Sequence, residues 1–178
     1  MHYFNNYYCF LETFNEETLL NLPKNTAVIY RNYKEKHNIT KIMKFKKICH
    51  KLKKKIFLSN NIRLSIKLGL DGAYIPSFNK DLNQKNFLFK KNFKLIGSAH
   101  NLKEIRIKEK QKVELIFISP LFPVKKKGNY LGIYKFLILK NLTKLPVACL
   151  GGINSQNIKA VKFIQTPHIG GISMFKPI

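Results

Sequence analysis

The chain predicts a single α/β domain, residues 1–178, folded as a (β/α)8 TIM barrel that is short and lacks its last helix. Three observations predict it. Apolar runs rich in β-branched and aromatic residues recur at eight places along the sequence. Segments with helical periodicity lie between them, and regular alternation of strand and helix argues for a parallel sheet, which eight units close into a barrel. A length of 178 residues with 45% hydrophobic content supports one core. That length is below the usual minimum of about 200 residues for this fold.

The expected strands are 7–11, 27–30, 56–58, 73–75, 94–96, 115–118, 147–150 and 171–174. The first helix, 16–22, follows Asn15 as N-cap, with Glu16 and Glu17 in its first turn. The second, 39–53, carries Ile39, Ile42, Met43, Phe45, Ile48 and Leu52 at helical spacing. Helices are expected at 62–70, 102–112 and 131–142 as well, and at 158–164 behind Asn154 or Ser155 as cap. The sequence stops at Ile178, directly after the eighth expected strand. Strands eight and one would then lack outer cover, and a homodimer supplying it is the corresponding expectation.

No apolar run reaches the roughly 18 residues that cross a bilayer. Met1 to Asn6 has no basic stretch followed by an apolar one, so no secretory leader is read. Cys9, Cys49 and Cys149 form no C-x-x-C pair, which points to three reduced, buried thiols in a cytoplasmic protein. The net charge of +24 raises nucleic acid as a partner. Of 33 basic residues, however, only Arg31, Arg63 and Arg106 are arginine, and the lysines are spread along the whole chain. Base-reading surfaces favour arginine forks. Compositional drift is the better account of the lysines, and the field they create draws phosphorylated molecules in either case.

In such a barrel the chemistry sits on loops after the strand C-termini. Arg31 follows strand two, Ser59-Asn60 strand three, and Asn79-Lys80-Asp81 strand four. Ser98-Ala99-His100 follows strand five, Ser119-Pro120-Leu121-Phe122-Pro123 leads into Lys125, Lys126 and Lys127, and Gly151-Gly152-Ile153 follows strand seven. A Pro-x-x-Pro turn opening into lysines presents fixed backbone and mobile cations to an anion. Two glycines let backbone N–H groups approach a phosphate.

At these motifs the chain resembles the thiamine phosphate synthases and the related thiazole tautomerases. The resemblance is carried by Asp71-Gly72-Ala73-Tyr74, Asn79-Lys80-Asp81, Ser98-Ala99-His100, residues 119–123 and Gly151-Gly152-Ile153, in that order. It implies a transferase of thiamine biosynthesis that joins hydroxymethylpyrimidine diphosphate to a thiazole phosphate and releases pyrophosphate. Those two phosphorylated heterocycles are the implied partners, and Mg2+ is the implied cofactor. Arg31 matches an arginine on the pyrophosphate, where a guanidinium fork suits the anion. Ser98 matches a serine at the diphosphate end, and Lys127 falls where a lysine meets the pyrophosphate. Ser59, Lys126, Gly151, Gly152, Phe175 and Lys176 fall at substrate-binding positions. Asp81 matches one Mg2+ ligand, or serves as a cap ahead of Leu82. The second metal carboxylate is replaced by Asn60, and the family's threonines by Val124 and Lys126. Mg2+ prefers carboxylates and phosphate oxygens, so a tautomerase, or a barrel that binds phosphoheterocycles without turnover, stands as the alternative. His100 lies where the tautomerase branch places a histidine. A basic nucleic-acid-binding protein is the more distant alternative, and it leaves the order of the strands unexplained.

Overall fold

The computed structural model describes residues 6–33, 38–124 and 128–175. Eight parallel strands close in sequential order, β1 pairing with both β2 and β8. They are β1 (Asn6–Leu11), β2 (Thr26–Tyr30), β3 (Ile56–Ser59), β4 (Gly72–Ile75), β5 (Lys94–Ala99), β6 (Leu115–Ile118), β7 (Val147–Leu150) and β8 (His168–Gly171). Six α-helices alternate with them: α1 (Glu16–Asn21), α2 (Ile39–Lys51), α3 (Ile62–Lys67), α4 (Leu102–Lys110), α5 (Gly132–Asn141) and α6 (Ile158–Lys162). Between β4 and β5 stands a single 3-10 turn, Asn83–Asn86, and another, Ser173–Phe175, follows β8. These short connections explain how a closed barrel fits so short a chain.

Asparagine marks the helix starts. The side chains of Asn15, Asn38, Asn61 and Asn101 accept from the backbone N–H of Thr18, Lys41, Leu64 and Glu104, each at 2.9–3.0 Å. Each of these bonds satisfies a donor that the helix cannot pair internally.

The eighth strand corrects the sequence expectation. It lies at 168–171 rather than 171–174. The segment His168-Ile169-Gly170-Gly171 carries one β-branched side chain, so its signal is weak. Gly170 faces the rings of Phe117 and Phe10, and close packing against neighbouring side chains stands in for propensity there.

Side chains alternate across each strand. The inward set forms the barrel interior around Phe10, Ile29, Phe57, Tyr74, Ile96 and Phe117. Phe117 meets Tyr8, Phe10 and Tyr74 edge to face at 5.0, 5.4 and 6.1 Å. The outward set packs under the helices in two further clusters, one around β1–β3 with α1 and α2, the other around β4–β8 with α4–α6. Asp71 sits at the N-terminal end of β4. Its carboxylate accepts from the Ile56 N–H at 2.9 Å and lies 3.0 Å from His50 Nε2, so this motif residue anchors β3 and α2 rather than facing the C-terminal mouth. All three cysteines are buried and unpaired. Among the described residues no helix is long and apolar enough to cross a membrane.

Candidate active site at the C-terminal mouth

A cavity of about 420 Å3 opens at the C-terminal ends of the strands. Arg31, Ser98, His100, Ser119, Gly151 and Gly152 line it from the ends of four different strands, and Val124 closes one side. Loop positions that are far apart in sequence are gathered here because each follows a strand that ends at the same rim.

Arg31 is braced from beneath. Its backbone N–H donates to Leu11 O at 2.7 Å, and its guanidinium lies 5.4 Å over the Phe10 ring. A loose ion pair at 3.5 Å ties it to Glu12, a largely exposed carboxylate that an incoming phosphate can displace.

Ser98 accepts a hydrogen bond of 2.7 Å from the Tyr74 hydroxyl. Burial pushes the Tyr74 phenol far above its ordinary range, so it stays protonated and donates. With its lone pair occupied, the Ser98 hydroxyl has its own proton to offer the cavity. A second pair sits at the rim, Tyr33 Oη and Ser59 Oγ at 2.7 Å. Burial raises the Tyr33 pKa, opposed by that hydrogen bond and by the Arg31 charge. Ser59 itself is buried behind Tyr33 and does not line the cavity.

His100 Nδ1 lies 2.6 Å from Ser119 O. A carbonyl oxygen only accepts, so Nδ1 carries a proton in this contact. The His100 backbone N–H donates to Glu104 Oε2 at 2.7 Å, which fixes the turn into α4.

Gly151 and Gly152 hold the β7 loop against the β6 loop. Both have positive φ, +96° and +69°. A Cβ on Gly152 would lie 2.6 Å from both Phe122 O and Pro123 O, and one on Gly151 would lie 2.8 Å from Pro120 Cα. Leu121 N–H and Phe122 N–H donate to Leu150 O and Gly151 O at 2.9 and 3.1 Å. The glycines are therefore required by close approach as well as by backbone conformation. The Ser119–Pro120 peptide is cis. The helix expected over 158–164 does begin at Ile158, but its N-cap position is Asn157 rather than Asn154 or Ser155, because Asn154 and Asn157 close an asparagine turn on each other's backbone.

The predicted metal loop is organised by Asn79, a motif residue to which the sequence reading assigned no role of its own. Asn79 Nδ2 donates to Asn60 Oδ1 at 2.7 Å, and Asn79 Oδ1 accepts from the Asp81 N–H at 2.9 Å. Asp81 Oδ1 in turn accepts from the Asn83 N–H at 2.9 Å, so Asp81 caps the 3-10 turn. Its backbone, and that of Asn79, are gripped from α4. Lys108 Nζ and Gln111 Nε2 donate to Asn79 O at 2.8 and 3.1 Å, and Gln111 Nε2 donates to Asp81 O at 2.7 Å. Lys108 is fully buried, and burial lowers its pKa to about 8, with Glu104 pulling the other way. The only sequence signal for this clamp is a lysine on the stripe formed by Leu102 and Ile105. Tyr74 left none, because its partner is distant in sequence.

Among the described residues no group of three His, Cys, Asp or Glu side chains gathers to hold a metal. Asp81 supplies the one carboxylate of the loop, and the Asn60 carbonyl oxygen is already engaged. Mg2+ takes carboxylate, phosphate and water oxygens; of these the loop offers only the Asp81 carboxylate, and neither Asp81 nor Asn60 lines the cavity. Phe175 packs edge to face on Tyr7 at 6.2 Å and lies off the cavity lining, in keeping with the three-residue shift of β8. Lys126, Lys127 and Lys176 lie outside the described residues.

A protein-family model described as thiamine monophosphate synthase matches residues 12–178. The thiamine-phosphate synthase of Clostridium acetobutylicum is 29% identical over 139 residues, which are 76% of this chain and 64% of that protein. That of Methanosarcina barkeri is 30% identical over 139 residues, 72% of this chain and 62% of that protein. The chain thus spans less than two thirds of the length of these relatives. Among solved structures, a thiamine phosphate pyrophosphorylase from Pyrococcus furiosus superposes with a TM-score of 0.76 at 16% identity, covering 97% of this chain and 87% of that one. FabK from Thermotoga maritima superposes at 0.67 with 10% identity, covering 98% of this chain and 60% of that one. Identities this low speak for the shared barrel alone.

Proposed function

The chain belongs to the thiamine monophosphate synthase family, and on that premise we propose that it joins hydroxymethylpyrimidine diphosphate to a thiazole phosphate, releasing pyrophosphate. The observation that carries the reading is the gathering of Arg31, Ser98, Gly151 and Gly152 on one cavity at the C-terminal mouth.

In this reaction the bond between the pyrimidine methylene carbon and the diphosphate oxygen breaks, and the oxygen keeps the electron pair. The thiazole nitrogen lone pair then forms the new carbon–nitrogen bond. Negative charge accumulates on the leaving diphosphate, and the residues that matter are those that meet it. Arg31 offers a fork to the departing oxygens once Glu12 is displaced. Ser98 donates its hydroxyl proton as a hydrogen bond, held in that direction by Tyr74. Lys126 and Lys127 are assigned to the same anion as point charges. Gly151 and Gly152 let the β6 loop close against them, and their backbone at the cavity is assigned to the thiazole phosphate. When bound, Mg2+ supplies neutralisation of the diphosphate charge, with Asp81 as its protein ligand and Asn60 beside it. Apolar walls from Phe10, Pro76 and Ile153 exclude water from the cation.

One observation favours a second reading. His100 lines the cavity with Nδ1 turned to Ser119 O, and an imidazole held at a thiazole site suits a tautomerase. Incubation of the protein with both heterocycles and Mg2+, followed by mass spectrometry, separates the two. The coupled product, absent when either heterocycle is omitted, supports the transferase. Isomerisation of the thiazole without coupling, lost in His100→Asn, supports the tautomerase and overturns the first reading.

A further inference from the structure

A cavity of about 520 Å3, larger than the one just described, lies at the opposite end of the barrel. It is bounded by the first residues of five strands: Asn6, Thr26, Lys94, Leu115 and His168 begin β1, β2, β5, β6 and β8. Its floor is the interior layer, Tyr8, Phe57, Ile96 and Leu115. Strand alternation explains what stands above that floor. Phe57 and Ile96 point inward, so Lys55 and Lys94, two residues earlier, occupy inward register positions at the mouth. Lys24 and Lys53 add two further ammonium groups to the lining, against the single carboxylate of Glu114.

Glu114 pairs with Lys94 at 3.6 Å, and both side chains are about half exposed. Among the described residues Lys24, Lys53 and Lys55 have no ion-pair partner. Like charges lining one concavity repel each other, and low-dielectric walls strengthen that repulsion. An anion placed between them reverses the sign of the interaction. His168 lines the same mouth, and its Nδ1 is buried with no hydrogen-bond partner among the described residues. Burial, followed by the Lys94 charge, lowers its pKa, so the ring stays neutral and presents one donor and one acceptor.

We propose that the N-terminal mouth of the barrel is a second ligand site, taking a small polyphosphate anion between Lys55 and Lys94, with its apolar floor able to seat a ring. The site is independent of the C-terminal cavity and of the activity assigned to it.

Titration calorimetry at near-physiological salt tests it, with inorganic tripolyphosphate and ATP as separate probes. Lys55→Gln/Lys94→Gln is compared with Lys103→Gln/Lys159→Gln, which removes equal charge from α4 and α6, and with Arg31→Ala at the other mouth. Far-UV circular dichroism confirms that each variant is folded. The expected result is that Lys55→Gln/Lys94→Gln weakens binding about tenfold or more, the size expected for losing charge-assisted contacts. Lys103→Gln/Lys159→Gln should stay within about twofold of the parent, the ordinary scatter for sites with no shared partner, and Arg31→Ala should remove only a separate binding phase at the C-terminal mouth. Tighter binding of ATP than of tripolyphosphate assigns the floor to a base, and equal binding assigns the site to the phosphates alone. Equal weakening in both lysine pairs, loss only in Arg31→Ala, or no binding of either probe at millimolar concentration overturns the proposal.

Discussion

Gly152 carries the sharpest constraint in the C-terminal site. Its φ of +69° lies in the region that L side chains rarely adopt, and a Cβ there meets two carbonyl oxygens at 2.6 Å. Gly152→Ala is expected to lower unfolding stability by about 2–4 kcal/mol, combining backbone strain with displacement of the β6 loop. Urea unfolding checks it, and a loss under about 0.5 kcal/mol, the level of an ordinary surface change, would show that the loop yields freely. Arg31, Ser98, Gly151 and Gly152 were legible as site residues because each sits in a short motif after a strand. Tyr74 and Asn79 were not legible as partners. Tyr74 reaches Ser98 and Asn79 reaches Asn60 only across strands, and a side-chain hydrogen bond over that sequence distance leaves no local pattern.

At the level of elements, α4 does more than cover the barrel. Lys108 and Gln111 tie its last turn to the loop that holds Asp81. The Lys108 pKa falls from its ordinary 10.5 to about 8 because burial penalises the charged form. The unfolded chain therefore binds more protons than the folded one between about pH 8 and 10.5, and this group's contribution to stability rises with pH across that window. Below about pH 8 both states are protonated and the penalty is fully present. Lys108→Met removes this rise, so the stability difference between parent and variant should shift in the parent's favour over that range, by at most about 1.4 kcal/mol per pH unit. Unfolding titrations of the two proteins across the window measure it, and a flat difference contradicts it. The element boundaries show where sequence signals run out. Seven strands and the Asn15 cap follow from apolar runs and N-cap chemistry, whereas the caps at Asn38, Asn61 and Asn101 were not expected. The eighth strand was displaced because glycines packed on Phe117 and Phe10 carry no propensity of their own.

On the scale of the whole molecule, the closed barrel leaves Cys9, Cys49 and Cys149 buried, with burial pushing each thiol up to about 12. Folded thiols stay protonated while unfolded ones ionise from about pH 9, so their contribution to stability is full below that value and is lost as pH rises towards 12. A thiol reagent at pH 8 should leave all three unmodified in the native protein and modify all three in urea; rapid native labelling would contradict their placement. The net charge of +24 was plain in the sequence, but its arrangement was not. Only barrel closure brings Lys55 and Lys94 to one mouth and Arg31 and Ser98 to the other. The most direct test of the assigned reaction is stoichiometric pyrophosphate release from the two heterocycles, with and without Mg2+, in the parent, Arg31→Ala and Asp81→Ala. The account predicts release that requires the metal and both substrates, and that falls on the order of a hundredfold or more when Arg31 is removed. No release from the parent under those conditions, or release unchanged in Arg31→Ala, would contradict it.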